Sequence, residues 1–113
     1  MNAAHSDRAR LLHIRDTIAR IFEYVEEDSA RSNRTQDAII YQLQIIGEAC
    51  NHISDEVKSR YDDVPWQSII DMRHHLVHGY MQVDLKEVWD TVDYDLVPLQ
   101  DTILTMLDDE TIV

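Results

Sequence analysis

Glycine and proline are scarce in this sequence, two of each in 113 residues. A β-sandwich or barrel takes a turn residue every ~8–12 positions, and four cannot supply them. A glycine-rich phosphate loop is excluded too, because Gly47 and Gly79 stand far apart. The single cysteine, Cys50, can close no internal disulfide, and a lone thiol fits a reducing compartment. No apolar run approaches the ~20 residues of a membrane helix, and the polar N-terminus lacks a signal-peptide core. A soluble, cytoplasmic protein without membrane contact is therefore expected. Basic residues are nearly absent from one half. Residues 61–113 hold two Lys/Arg against twelve Asp/Glu, whereas residues 1–60 hold eight against ten. With a net charge of −12, the surface does not suit non-specific nucleic-acid binding, which takes a basic patch. Any role on RNA has to rest on local positive groups. The acidic half serves solubility or a basic protein partner.

Hydrophobic residues at 44% and charged residues at 28% are the composition of a packed domain, not a disordered one. No repeat or linker divides the chain, so residues 1–113 are expected to form a single helical domain. The first helix starts near Ser6 or Asp7, and Leu11, Ile14, Ile18, Ile21, Phe22 and Val25 follow helical spacing. It ends in the acidic stretch Glu26–Asp28 and the polar run Arg31–Arg34. Thr35 is the expected N-cap of a second helix whose apolar set includes Ile39, Leu43, Ile46 and Ala49. Gly47 inside it costs about 1 kcal/mol against Ala, which points to the close approach of another backbone. Tyr41, Ile45, Glu48 and His52 share one stripe. Glu48 there is either a buried carboxylate satisfied by an Arg or an amide, or a group facing a site or a dimer seam.

Ser54 suits the cap of a short helix over residues 55–61. Pro65 suits the first turn of a third main helix carrying Trp66, Ile69, Ile70, Met72, Leu76 and Val77, and Gly79 suits its end. Asp84 with Glu87 resembles a capping box before a fourth helix with Leu85, Val88, Trp89, Val92, Leu96, Leu99, Ile103 and Leu107. Pro98 falls inside it and should kink it without ending it, because the periodicity resumes. These patterns give an all-α fold: an antiparallel four-helix bundle with a short extra helix and a Pro-kinked last helix.

The densest functional segment is Arg73-His74-His75-Leu76-Val77-His78-Gly79-Tyr80, with three of the six histidines. Metal binding, helix-end packing and acid–base catalysis all use such residues. His74 and His78 stand four apart, with Asp71 three before His74, a spacing that can chelate zinc. Further ligands are not evident nearby, and Cys50 is distant in sequence. Histidines also favour the carbonyls at a helix C-terminus, and Arg73 can simply pair with an acid. In the third reading, His moves a proton to or from a ribose hydroxyl and Arg holds a phosphodiester. The 2′-hydroxyl is then the nucleophile, so neither an enzyme nucleophile nor a metal is required. One chain supplies little for both a base and an acid. A two-fold dimer supplies two His78 and two Arg73 around one cleft.

Arg73-x4-His78-x-Tyr80 matches the R-x4-H-x-Y motif of HEPN-domain toxins of the HepT type. The resemblance covers nearly the whole chain. Ile45-Ile46-Gly47-Glu48-Ala49 resembles the family's Gly-Glu-Ala turn of the second helix. Pro65-Trp66 with Ile69, Met72 and Arg73 resembles its lead-in to the motif, and Val88-Trp89 with Leu96-Val97-Pro98-Leu99 resembles its last helix. The resemblance implies a HEPN-like helical bundle and a homodimer with a composite site. It also implies metal-independent endoribonuclease activity without a cofactor. The protein would be the toxin of a type VII-like toxin–antitoxin pair. Its partner would be a nucleotidyltransferase antitoxin of the MntA type, which transfers AMP to the motif tyrosine. By position, Arg73 and His78 would be catalytic and Tyr80 the AMP acceptor. Many relatives carry Asn or Asp where His74 stands. His74 would orient the phosphate, carry a second proton, or remain a solvated helix-end histidine. Glu48 matches the family's pattern, with a role limited to packing or orienting the site. The alternative from another class is a non-catalytic helical module that binds a nucleotide or a nucleotidyltransferase partner through the same cluster.

Overall fold

Ser6 opens the first helix, as the spacing predicts. The computed structural model describes residues 6–78 and 83–113, without the side chains of residues 77 and 78. Helix α1 runs Asp7–Glu27, and Ser6 Oγ accepts from the backbone N–H of Ala9 at 3.0 Å. Helix α2 spans Asn33–Asn51, α3 Asp55–Arg60, α4 Trp66–His78, α5 Leu85–Asp90 and α6 Leu96–Leu107. A π-helical segment, Thr91–Asp95, joins the last two. Ser54 caps α3 by accepting from Val57 N–H, and Asp84 caps α5 by accepting from Lys86 and Glu87 N–H. Among the described residues there is no strand, and no helix is long and apolar enough to cross a membrane.

Three sets of contacts set the topology. Asp7, at the start of α1, accepts from the N–H and hydroxyl of Ser54, beyond the end of α2, at 2.8 and 2.7 Å. Gln44 reaches the carbonyl of Leu76, whereas the later Glu48 reaches the earlier Arg73. Arg8 donates to the carbonyls of Leu107, Asp109 and Ile112 at 3.0, 3.1 and 2.9 Å. So α1 runs antiparallel to α2 and α6, and α2 antiparallel to α4. This is the expected all-α antiparallel bundle, with α3 as its short extra helix. Leu11, Ile14, Ile18 and Ile21 from α1 meet Ile39, Leu43 and Ile46 from α2 and Val88, Leu96 and Ile103 from the last arm in one buried core. Each such side chain contributes about 1.5–3 kcal/mol.

Some local expectations need correction. Thr35 is not the N-cap of α2. The helix starts at Asn33, and Ser32 Oγ accepts from Thr35 N–H at 3.4 Å. The cause is Asp28, whose Oδ2 accepts from Ser32 N–H at 3.1 Å and from the hydroxyls of Ser32 and Thr35, both at 2.6 Å. The Thr35 hydroxyl serves that bracket instead of a cap. Pro65 sits one position before α4, its carbonyl accepting from Ile69 N–H at 3.1 Å. Leu85, expected on the apolar face, is 43% exposed. The end expected at Gly79 lies outside the described residues. Pro98 does not end the last arm, and the helix opens one turn before it. Leu96 N–H donates to the carbonyl of Thr91, five residues back. Proline has no N–H to donate and its ring collides with the carbonyl four residues earlier in a regular helix, so a wider turn just upstream relieves both demands.

The α1–α2 loop is tied to that wider turn. Arg31 adopts φ 56, a conformation that costs a non-glycine residue about 1 kcal/mol or more. There it donates twice to the Asp93 carboxylate, at 3.1 and 2.6 Å, and lies 4.3 Å above the Trp89 ring.

Hydrogen bonds from Ser32 and then Thr35 hold the Asp28 carboxyl at about 2, down from 3.8. The folded chain therefore binds this proton more weakly than the unfolded chain. The stabilisation is complete above about pH 4 and fades as the pH falls towards 2. Asp28→Ala should lower the urea midpoint at pH 7, and its gap from the unsubstituted protein should narrow between about pH 4 and pH 2. A gap that stays constant across that window would remove Asp28 from this role.

Candidate active site

The site is built where α4 crosses α2. Gly47 carries no side chain at that crossing. A Cβ there would overlap the Cβ of Arg73, lie 2.8 Å from its Cγ and come within 3.2 Å of the carbonyl oxygen of Ile69. The close approach inferred from a mid-helix glycine is thus present, and the element that approaches is the one bearing Arg73.

With its root pressed on α2, Arg73 extends along that helix to Glu48. Arg73 Nη2 lies 2.9 Å from Glu48 Oε2. The other carboxylate oxygen, Oε1, lies 2.8 Å from His52 Nε2. Gln44 Nε2 donates to the carbonyl of Leu76 at 3.5 Å, in the C-terminal part of α4. One face of α2 therefore fixes the C-terminal half of α4 through Gln44, Gly47 and Glu48.

The side chains of Arg73 and Glu48 are 29% and 44% exposed. A pair so open to water contributes about 0–1 kcal/mol, so its consequence is orientation more than stability. Among the described residues, the Arg73 ion pair uses only Nη2. A guanidinium has five N–H donors, and the rest can meet phosphate oxygens.

Of the residues singled out in the sequence, Arg73 and Glu48 are brought into contact. Glu48 is half-exposed, with Arg73 as its partner: the arginine of one reading and the openness of the other. His74 follows Arg73 and is exposed. His78 is the last residue of α4, about 7.5 Å along the axis from Arg73. The His78 side chain and Tyr80 lie outside the described residues. The sequence places His52 on the Glu48 stripe without pairing the two. Gln44 is not singled out at all, and its only signal is its place four residues before Glu48 on the same face.

Among the described residues, no three of His, Cys, Asp or Glu stand together as metal ligands. Asp71 accepts from Gln67 Nε2 at 2.8 Å. Cys50 is fully buried, and burial pushes its thiol up to about 12, which removes it as a nucleophile at neutral pH.

Residues 14–106 match the family model described as Ribonuclease HepT-like. A Methanocaldococcus jannaschii protein named "Gamma-glutamylcyclotransferase and putative RNase" is 35% identical over 103 residues, covering 88% of this chain and 46% of that protein. The "Probable ribonuclease HepT" of Thermococcus cleftensis is 35% identical over 104 residues, covering 88% of this chain and 93% of its own. A second Methanocaldococcus jannaschii protein, named "Putative RNase", is 28% identical over 89 residues, with 75% and 74% covered. The chain thus spans about half the length of the first relative and nearly all of the second. No solved structure matches it.

Gly47→Ala tests the crossing. Alanine favours a helix by about 1 kcal/mol over glycine. Against that, overpacking costs about 1–3 kcal/mol, and the atom in the way is a Cβ that cannot swing aside. The variant should keep its helix content and lose stability on urea denaturation. A gain in stability would show that α4 does not press on Gly47.

Proposed function

Because the chain belongs to the HepT-like ribonuclease family, and with it to the RNA-cleaving enzymes, we propose that Arg73 and His78 cleave RNA without a metal ion. The observation that carries this is the seat of Arg73. Its side chain is rooted against Gly47 and turned by Glu48, with Nη2 alone engaged in the ion pair among the described residues. A group fixed before the substrate arrives loses little freedom on binding it.

The 2′-hydroxyl oxygen attacks the adjacent phosphorus. The bond to the 5′-oxygen breaks, leaving a 2′,3′-cyclic phosphate and a 5′-hydroxyl. A proton leaves the 2′-hydroxyl and another reaches the 5′-oxygen, and His78 serves as base or acid for this transfer. Arg73 meets the charge that builds on the phosphoryl oxygens. Glu48 acts through Arg73 as a positioning residue. His74, beside Arg73, orients the phosphate or carries the second proton.

Each chain supplies one motif histidine, and a homodimer supplies the pair. Tyr41, 60% exposed, and the half-buried Ile45 extend the stripe that bears Glu48. An exposed aromatic beside a polar site suits contact with a second copy. Tyr80, two residues beyond His78, is the AMP acceptor for a nucleotidyltransferase antitoxin of the MntA type. AMP brings a phosphate and a base to the place RNA would occupy, which repels and blocks substrate. The protein is then the toxin of a cytoplasmic toxin–antitoxin pair.

The test is cleavage of transfer and messenger RNA in excess EDTA by protein shown by mass spectrometry to carry no AMP. The unsubstituted protein and Tyr80→Phe should cleave. Arg73→Ala and His78→Ala should lose about 10²–10⁴-fold in rate with an unchanged circular dichroism spectrum. Retained cleavage in His78→Ala sinks its assignment. No cleavage by the unmodified protein favours the non-catalytic module that binds a nucleotidyltransferase or a nucleotide.

A further inference from the structure

Glu48 divides its two carboxylate oxygens between two neighbours. Oε2 lies 2.9 Å from Arg73 Nη2 on α4. Oε1 lies 2.8 Å from Nε2 of His52, one turn further along α2. The three side chains form a short relay from imidazole to carboxylate to guanidinium. Arg73 has a part in the proposed cleavage and Glu48 acts on Arg73, whereas His52 has no part assigned.

The backbone of His52 is firmly placed. It is the C-cap of α2, and its N–H donates to the carbonyls of Ala49 and Cys50. Ile53, the next residue, is 2% exposed and belongs to the core. Ser54, the one after, is bound to Asp7 through both its N–H and its hydroxyl. The far end of Glu48 has no such support from packing, because its side chain is half-exposed. A glutamate side chain has several rotatable bonds, and one contact to a partly exposed arginine leaves its carboxylate free to turn. A second contact, on the other oxygen and from the same helix, removes that freedom. An imidazolium donates from Nε2, and a carboxylate acceptor selects the neutral tautomer that carries its proton there. The bond to Glu48 is therefore available to the ring in either state.

Building on the assignment of Arg73 to RNA cleavage, we propose that His52 is a positioning residue for that arginine. His52 pins Oε1 of Glu48, which turns Oε2 towards Nη2 and holds the guanidinium in one orientation. Its effect reaches the substrate through two other side chains, so His52 itself has no need to touch RNA. Lys86 and Asp90 on α5 form a pair of the same spacing, at 2.6 Å, with no ion pair to Arg73 among the described residues. That pair is the control for a surface contact that positions nothing.

The whole chain, labelled with the heavy nitrogen isotope, reads the orientation directly. The Nε–Hε signal of Arg73, identified by its loss in Arg73→Lys, reports the mobility of the guanidinium through its heteronuclear NOE. The NOE should fall in His52→Ala and in Glu48→Ala. His52→Gln, whose amide nitrogen can stand in for Nε2, should restore it, and Lys86→Ala should leave it unchanged. In metal-free RNA cleavage, His52→Ala should lose about three- to tenfold, within the range that coupled neighbours show. The loss should fall on kcat more than on KM, because Arg73 meets charge that builds in the transition state. His52→Gln should recover to within about twofold of the unsubstituted rate. Glu48→Ala/His52→Ala should be no slower than Glu48→Ala, since His52 acts only through Glu48. An Arg73 signal that stays as rigid in His52→Ala as in the unsubstituted protein overturns the proposal. So do losses that add in the double variant, or a His52→Gln no better than His52→Ala. If the unsubstituted protein cleaves no RNA, the assignment of Arg73 to cleavage falls, and the NOE still decides whether His52 orients it.

Discussion

At Gly47 the backbone of α2 takes in the root of the Arg73 side chain, where any larger residue would hold α4 away. Three kinds of force then act in sequence. Burial of Ile39, Leu43 and Ile46 against α1 and the last arm makes α2 a fixed platform. The missing side chain sets how near α4 can come. The Glu48 carboxylate, weak as a source of stability, sets where the guanidinium points.

Cations are sparse in the second half of the chain, two Lys/Arg against twelve Asp/Glu. Of the two Lys/Arg of the second half, Arg73 lies in the C-terminal half of α4 together with three histidines, and Lys86 lies on α5. Asp63, before α4, and Glu87 and Asp95, on the last arm, make no side-chain ion pair or hydrogen bond among the described residues. A net charge of −12 and work on a polyanion are compatible because the substrate needs only a local field, whose reach in physiological salt is about 8 Å.

The parts of this structure that rest on nearby residues were legible in the sequence. Ser6, Ser54 and Asp84 all cap the helices they precede, and the fully buried residues of α1 fall where helical spacing puts them. The helical class followed from the shortage of turn residues. The cap of α2 was misplaced because Asp28, on the far side of the loop, recruits the Thr35 hydroxyl that a local rule assigns to the cap. Arg8, whose side chain gathers three carbonyls from the other end of the chain, leaves no signal in its neighbours. At the site, the glycine announced a close approach and Glu48 announced a partner. That the two concern the same arginine is a fact of three dimensions. The bond between His52 and Glu48 was one step away, since the stripe was visible and the rotamers were not.

The π-helical segment Thr91–Asp95 has a consequence for chain length. A turn closed by a bond from residue i+5 holds one residue more than an α turn. It is the place in the last arm where the chain can be shortened by one residue with the helix phase kept. Leu99, Ile103 and Met106 would still face the core. The same deletion a few residues later, inside α6, would rotate every following side chain by about 100° and carry the buried face into water. Among otherwise similar chains, a single-residue gap in this arm belongs between positions 91 and 95.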